Sequence, residues 1–246
     1  MTTPLIVGNW KMNGLAADLT EARALAAGVA RDGAPARVGL CPAATLISRM
    51  AEALAGSSVA VGGQDCRAEP AGAFTGDVSA EMLADAGASL VIVGHSERRA
   101  GYGETDAVVA AKALAAVRAG LEPIICVGET LAQRQAGQAL EIVTGQVRGS
   151  IPPTLSATPF AVAYEPVWAI GTGLTPSLAE IEEVHAAIRR ALRDLFGDAA
   201  TQPILYGGSV KPDNAREILG AAEVGGALVG GASLKAADFL RIIGAG

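Results

Sequence analysis

The sequence predicts a closed (β/α)₈ barrel, an architecture in which eight parallel strands alternate with helices. Short apolar runs alternate with longer amphipathic segments along the whole chain, and eight such runs can be counted. The 246 residues therefore divide into units of about 30 residues, which matches the usual length of this architecture. Because no linker-like segment interrupts the pattern, we expect residues 1–246 to form a single domain.

The predicted strands consist mainly of Val, Ile, Leu and Ala and lack polar alternation. Such runs are typical of parallel strands that are covered on both faces. They are Leu5 to Asn9, Val38 to Cys41, Val59 to Gly63, Leu90 to Gly94, Pro123 to Val127, Phe160 to Glu165, Ile204 to Gly207 and Ala227 to Gly230. The alternative is a doubly wound open sheet, which normally has a nucleotide-binding glycine loop after its first strand. Neither common form of that loop occurs in the sequence.

The most clearly marked helix follows the sixth strand. Thr175 is expected to cap it, and Pro176 suits the first helical position. Ser177 and Glu180 have the spacing of a capping box. We interpret His185 as a structural residue on the polar side of this helix. The apolar stripe consists of Ile181, Val184, Ile188, Leu192 and Leu195.

A second helix precedes the fifth strand. Ala110, Leu114 and Val117 recur at helical spacing and are predicted to pack on the sheet. Lys112 and Arg118 are then expected on the other side of the helix.

Composition excludes several classes of function. The net charge of −6 argues against binding to a nucleic-acid backbone. No stretch approaches 18 consecutive apolar residues, and residues 1–11 lack the pattern of a secretory signal. We therefore expect a cytoplasmic protein with no membrane contact. Cys41, Cys66 and Cys126 are widely separated and only His95 and His185 could join them, so we expect neither a disulfide framework nor a metal site.

Candidate site residues lie where the predicted strands end, because the loops that follow the strands of a (β/α)₈ barrel converge on one face. This set of residues supplies a base, an electrophile and a cation. They are Asn9 and Lys11 after the first strand, His95, Ser96 and Glu97 after the fourth, Glu165 after the sixth, Ser209 after the seventh, and Gly230 and Gly231 after the eighth.

Glu165 is the candidate general base, since a carboxylate at the barrel mouth in partly apolar surroundings suits that role. The alternative is a solvated carboxylate at a strand end. The apolar segment from Pro166 to Ile170 contains Trp168 and is typical of a lid that excludes water from a site. A loop that simply packs on a helix would look similar.

His95 and Lys11 are less decisive when each is considered alone. His95 comes directly before a short helical turn, where the helix dipole favours a neutral imidazole that can donate a hydrogen bond to a carbonyl oxygen. It could equally be a structural histidine, and Lys11 could be a free surface lysine. The glycine-rich turns at 171–173, 207–209 and 230–231 could present backbone N–H groups to a phosphate, or could simply be tight turns.

Five long motifs resemble the triosephosphate isomerase family, and they occur in order along the whole chain. They are Gly8-Asn9-Trp10-Lys11, Gly94-His95-Ser96-Glu97-Arg98-Arg99, the run from Tyr164 to Gly173, Tyr206-Gly207-Gly208-Ser209-Val210, and Leu228-Val229-Gly230-Gly231-Ala232-Ser233-Leu234. The resemblance implies interconversion of dihydroxyacetone phosphate and glyceraldehyde 3-phosphate through an enediolate, with neither metal nor organic cofactor.

The roles of the site residues follow from the family and not from their positions alone. Glu165 resembles the family's base, and His95 resembles its neutral electrophile. Lys11 resembles the cation that supports the substrate, with Asn9 beside it, and Glu97 matches an acid close to both groups. The implied phosphate contacts are Gly171, Ser209, Gly230 and Gly231, under a lid from Pro166 to Gly173.

The resemblance also implies a homodimer. The long segment from Asp65 to Val78 is similar to a loop that inserts into the neighbouring subunit, and Thr75 would then reach the partner's site near Asn9 and Lys11. A mobile surface loop is the alternative.

Several positions depart from the family pattern. Asp65 stands where Asn is common, Asp77 stands where Glu is common, and Gly225 stands where an acid is usual. The second hinge of the lid is short, which puts the family's usual contact from Tyr206 to this hinge in question.

Two other functions are compatible with parts of the pattern. Gly94-His95-Ser96 resembles the start of a serine-hydrolase nucleophile elbow, although Arg98 stands where that elbow needs glycine. A barrel that binds a sugar phosphate without catalysis would need only the glycine-rich turns.

Overall fold

In the computed structural model, which describes residues 3–170 and 174–246, eight parallel strands close into a barrel in sequence order. The strands are β1 (Leu5–Asn9), β2 (Arg37–Cys41), β3 (Val59–Gly63), β4 (Leu90–Val93), β5 (Glu122–Val127), β6 (Ala161–Tyr164), β7 (Ile204–Tyr206) and β8 (Gly226–Val229). Pairing of Leu5 with Gly226 closes the barrel between β1 and β8. Each predicted strand is confirmed to within one residue at either end.

Helices and short 3₁₀ turns connect the strands around the outside. The helices are α1 (Leu19–Asp32), α2 (Ile47–Ala53), α3 (Ala80–Asp85), α4 (Ser96–Tyr102), α5 (Asp106–Arg118), α6 (Leu131–Gln135), α7 (Ala139–Ser150), α8 (Leu178–Phe196), α9 (Ala215–Leu219) and α10 (Ala236–Ile243). The 3₁₀ turns are Ala16–Asp18, Ala44–Leu46, Pro153–Ala157, Val167–Ala169, Gly197–Ala199 and Gly231–Leu234. Among the described residues, no helix combines the length and apolar character needed to cross a membrane.

The strands bury apolar side chains on both faces, which explains why their sequences do not alternate. Leu5 and Val7 of β1 point into the barrel, and Ile6 between them packs in the layer between barrel and helices. The barrel interior is a separate small cluster that also includes Cys41, Leu90, Ile92, Ile124, Cys126, Ala161, Ala163, Leu205 and Leu228. Burial raises the pKa of the Cys41 thiol to about 12, so this side chain remains a neutral part of the core.

The predicted start of α8 is wrong by two residues. Ser177, not Thr175, is the N-cap, and Pro176 precedes the helix. The predicted capping box is present, because the backbone N–H of Glu180 donates to Ser177 Oγ and the N–H of Ser177 donates to a Glu180 carboxylate oxygen at 2.8 Å. Four of the five predicted stripe residues are buried, and Leu195 is half-buried.

His185 is buried in α8, so its placement on the polar side is wrong. Its ring lies between those of Tyr164 and Tyr206, with ring centroids 5.8 and 6.5 Å away. Burial lowers the pKa of His185 from 6.5 to about 4, and Nδ1 donates to the carbonyl of Glu223 at 3.1 Å. The imidazole is therefore neutral in the native protein.

The predicted orientation of α5 is also wrong. Leu114 is exposed and Ala110 and Val117 are only half-buried, whereas Lys112 is buried. Lys112 Nζ lies 2.7 Å from Asp65 and 2.6 Å from Glu104. These two carboxylates compensate the positive charge of the buried Lys112 ammonium. Ala113, Ala115 and Ala116 face the barrel, which brings α5 close to the strands.

Candidate active site

The carboxyl ends of the strands surround a cavity of about 300 Å³. Its lining includes Asn9, Lys11, His95, Glu165, Ser209, Gly230 and Gly231, so these seven predicted residues are brought together. Glu97 is not in the lining but contacts both Lys11 and His95, which are, and Thr75 is on exposed surface. Gly171 and the rest of the predicted turn at 171–173 lie outside the described residues.

His95 lies between β4 and α4, where it is the N-cap of the helix. Its Nδ1 accepts the backbone N–H of Glu97 at 3.2 Å, so the ring proton is on Nε2. Nε2 lies 2.8 Å from Oε1 of Glu165 and donates to it. The helix start therefore fixes the tautomer that presents an N–H to the cavity.

Glu165 follows β6 and is 1% exposed. Its carboxylate accepts from the Ser96 backbone N–H at 2.9 Å and from Ser96 Oγ at 3.1 Å, in addition to His95. Burial alone would raise the pKa of the Glu165 carboxyl, but the electrostatic interaction with His95 and the hydrogen bonds from His95 and Ser96 together hold the pKa below the ordinary value. The ionised Glu165 carboxylate is thus held against Ser96.

Lys11 has a left-handed backbone, with φ of 52°, and side chains at the carboxyl ends of two strands hold this conformation. Asn9 Oδ1 accepts the backbone N–H of Lys11 at 3.0 Å. Gln64 Nε2 donates to the carbonyls of Lys11 and Cys41, each at 2.8 Å. The Lys11 ammonium lies 2.6 Å from Glu97, so a carboxylate balances its charge. The hydrogen bonds to its backbone hold Lys11 in a strained conformation, and the ion pair with Glu97 fixes its side chain at the cavity.

The segment after Glu165 is held to the barrel by a buried carboxylate. Trp168 Nε1 donates to Glu129 Oε1 at 2.8 Å, and Tyr164 Oη lies 3.1 Å from the same oxygen. Arg134 pairs with Glu129 at 2.7 Å and lies over the Trp168 ring. Within the described residues, the buried hydroxyl of Tyr206 has no hydrogen-bond partner.

Glycines allow the close approach of β6, β7 and the turn after β8. A Cβ at Gly207 would lie 3.0 Å from Cγ of Glu165. Ser233 Oγ donates to the carbonyl of Gly230 at 2.7 Å, and Trp10 Nε1 donates to the Ser233 carbonyl at 3.2 Å. The turn that begins at Gly230 is therefore tied to the segment that carries Lys11.

Three supporting residues escaped the sequence analysis. Gln64 follows β3, Glu129 comes two residues after β5, and Lys211 lies in the turn after β7. The strand-end rule would have found the first two if it had been applied to the third and fifth strands as well.

The serine-hydrolase interpretation is wrong. Ser96 Oγ donates to Glu165, and the adjacent His95 directs its N–H to the same carboxylate. Ser96 is thus a hydrogen-bond donor to a carboxylate, not an activated nucleophile. Among residues 3–170 and 174–246, no three His, Cys, Asp or Glu side chains form a group that could hold a metal ion.

The segment from Asp65 to Val78 is braced at both ends. Arg67 pairs with Asp77 and lies 3.6 Å from the centroid of the Phe74 ring. Asp65 forms ion pairs with Lys112 at 2.7 Å and with Arg98 at 2.9 Å. The Asp that stands where the family commonly has Asn therefore supplies a carboxylate to a cluster of ion pairs. Burial raises the pKa of Asp65, and the Lys112 hydrogen bond opposes this rise.

A buried carboxylate that accepts an imidazole N–H at the carboxyl end of a (β/α)₈ barrel is typical of barrel enzymes that transfer protons on small substrates. The family model described as triosephosphate isomerase matches residues 4–246, and the chain belongs to that family. Its members interconvert dihydroxyacetone phosphate and glyceraldehyde 3-phosphate.

Individual relatives agree over nearly the whole chain. The triosephosphate isomerase of Caulobacter vibrioides is 62% identical and the alignment covers 98% of this chain and 95% of that one. The triosephosphate isomerase of Afipia carboxidovorans is 60% identical, with 97% and 96% covered. The crystal structure of triosephosphate isomerase from Bartonella henselae superposes with a TM-score of 0.93 at 49% identity and covers 99% of both chains.

Proposed function

We propose that this chain isomerises the triose phosphates with Glu165 as the base, His95 as the electrophile and Lys11 as the supporting cation. The observation that carries the assignment is the 2.8 Å contact between His95 Nε2 and Glu165 Oε1 in the cavity that Lys11 also lines. Proton acceptor, hydrogen-bond donor and cation thus face one small volume.

The reaction then needs only a relocation of protons. Glu165 removes a proton from the carbon beside the carbonyl, and the electron pair of that C–H bond moves to the carbonyl oxygen to form an enediolate. His95 Nε2–H stabilises and protonates that oxygen, and Nε2 then takes up the proton of the hydroxyl on the adjacent carbon. As the new carbonyl forms there, Glu165 delivers its proton to the former carbonyl carbon, so both residues regain their starting protonation states. Lys11 stabilises the developing negative charge, and Glu97 and Asn9 hold Lys11 in place.

Glu165 must leave Ser96 before it can act. In the position described, its carboxylate accepts hydrogen bonds from Ser96 and His95, and its pKa is low for a base. Movement into the cavity exchanges these donors for the substrate, which raises the pKa of the carboxyl. We assign the segment from Pro166 to Gly173 as the lid that shields the enediolate, and Gly171, Ser209, Gly230 and Gly231 as phosphate contacts.

The test measures isomerisation of glyceraldehyde 3-phosphate by the purified protein with a chelator present. Glu165→Gln removes the base at constant size and is expected to abolish turnover, whereas Glu165→Asp withdraws the carboxylate by about 1 Å and costs on the order of 10² in rate. Full activity of either variant would remove Glu165 from the mechanism. A wild-type protein that binds inorganic phosphate but does not isomerise would instead be a binding barrel.

We also propose a homodimer in which Thr75 contacts the partner's site. Met12, Leu15 and Tyr102 are strongly exposed apolar side chains, and a second copy would remove them from water. Sedimentation and activity are measured together during dilution, and we expect activity to fall as the dimer dissociates. A fully active monomer would contradict this proposal.

A further inference from the structure

Lys211 lines the same cavity as the proposed catalytic residues but is not among the groups assigned above. It is exposed and lies in the turn between β7 and α9, two residues after Ser209. Three charged residues occur in the described lining of this cavity, namely Lys11, Glu165 and Lys211.

The charges of these three groups are balanced differently. Lys11 is paired with Glu97 at 2.6 Å, and Glu165 is held by Ser96 and His95. Within the described part of the chain, no carboxylate lies within ion-pair distance of Lys211. Lys211 therefore supplies uncompensated positive charge to the cavity of a chain whose net charge is −6.

The turn that carries Lys211 is fixed by one side chain. Asn214 Oδ1 accepts the backbone N–H of Lys211 at 2.8 Å, and Asn214 Nδ2 donates to the carbonyl of Ser209 at 3.1 Å. This amide joins the two residues, so Lys211 and Ser209 are presented together at one end of the cavity. The flexible four-carbon stem of Lys211 lets its ammonium approach a dianion there.

We infer that Lys211 is a substrate-recognition residue that attracts the dianionic phosphate of the triose phosphate, an inference that rests on the proposed site. A cation at the cavity edge attracts the doubly charged phosphate electrostatically, both as the substrate approaches and once it is bound. The uncharged carbon skeleton of the substrate is not attracted in this way. Lys211 therefore favours phosphorylated over unphosphorylated trioses and contributes a salt-dependent part of kcat/KM.

The size of the effect follows from Coulomb's law. A unit charge about 7 Å from a dianion in water corresponds to about an 8-fold change in kcat/KM at low ionic strength. At 0.15 M salt the screening length is about 8 Å, which reduces the change to about 2- to 3-fold. The ionic-strength dependence is thus the signature of the proposed role.

The experiment compares kcat/KM of the full-length protein, Lys211→Met, Lys211→Arg and Lys235→Met between low salt and 0.2 M KCl. Lys235 pairs with Glu21 at 2.9 Å and does not line the cavity, so Lys235→Met removes the same formal charge from the chain at a distance. We expect Lys211→Met alone to lose activity at low salt and to flatten the salt dependence. Lys211→Arg keeps the charge and is expected to retain both properties.

Two further measurements separate charge recognition from a structural role. Inhibition by inorganic sulfate is expected to weaken several-fold in Lys211→Met, and slow turnover of unphosphorylated D-glyceraldehyde is expected to stay the same. Equal loss with both substrates, or a salt dependence like that of the wild type, would overturn the inference. Neither result would affect the assignment of Glu165, which Glu165→Gln tests separately.

Discussion

Glu165 Oε2 accepts the backbone N–H of Ser96 at 2.9 Å, and the same serine donates its hydroxyl to the other carboxylate oxygen at 3.1 Å. One residue at the start of α4 thus contacts both oxygens of the proposed base. The resting position of Glu165 is therefore set by the helix that also positions His95, and the two groups are oriented together.

Ser96→Ala should move the acid limb of the pH profile. The variant removes a hydrogen bond to the ionised carboxylate and keeps the backbone donor, so the pKa of Glu165 in the free enzyme rises. Because the base must be ionised, the acid limb of kcat/KM against pH should shift upward by about half a unit to one unit. Ser79→Ala removes a hydroxyl that caps α3, and its acid limb should match the wild type.

Gly128→Ala should damage both stability and catalysis. A Cβ there would lie 1.8 Å from the backbone carbonyl oxygen of Glu165, so β6 must shift. We expect a loss of about 2 to 3 kcal/mol in the free energy of unfolding and a strong fall in kcat. Gly145→Ala is the control, because its Cβ meets open space on α7. It should stabilise the protein by about 0.5 to 1 kcal/mol with unchanged kcat. An active, stable Gly128→Ala would contradict the packing argument.

Arg134→Met should destabilise the protein because it leaves Glu129 buried without its cation. Glu129 is fully buried and keeps the Trp168 N–H as a donor, so we expect a loss of about 3 kcal/mol in urea unfolding. Arg31→Met breaks an exposed pair with Asp32 and should leave stability unchanged. Equal effects of the two variants would show that burial of the carboxylate does not matter here.

His185 should make the native state sensitive to mild acid. Its pKa is about 4 in the folded protein and about 6.5 in the unfolded chain, so between these values the unfolded chain binds the extra proton. The stability from this group is complete above pH 6.5 and decreases as pH falls towards 4. At pH 5 the loss is about 2 kcal/mol relative to pH 7.5. Gln at position 185 cannot titrate, so in urea unfolding the His185→Gln variant should lose less free energy of unfolding between pH 7.5 and pH 5 than the wild type. If the variant and the wild type lose the same amount, the pH dependence does not come from His185.

The sequence predicted the barrel well because each strand carries its own signal. A strand that is buried on both faces can be recognised from its own continuous apolar run, without information about the neighbouring strands. All eight strands lie within one residue of their predicted ends. Helix orientation was harder to predict. The stripe on α5 was misplaced because a buried lysine looks polar in sequence, and only Asp65 and Glu104, which are distant in sequence from one another, make its burial acceptable.

The candidate site also has features that the sequence predicted and features that only the tertiary structure decided. Sequence alone predicted that Glu165, His95 and Lys11 lie together, because strand ends and long motifs are local features, and these three residues do line one cavity. The tertiary structure decided that Ser96 holds the Glu165 carboxylate, that the backbone N–H of Glu97 fixes the His95 tautomer and that Lys211 lines the cavity. The contact between Ser96 and Glu165 joins the ends of two strands, and all three relationships depend on distances of a few ångströms. Such distances arise only when the barrel closes and brings the ends of its strands to one face.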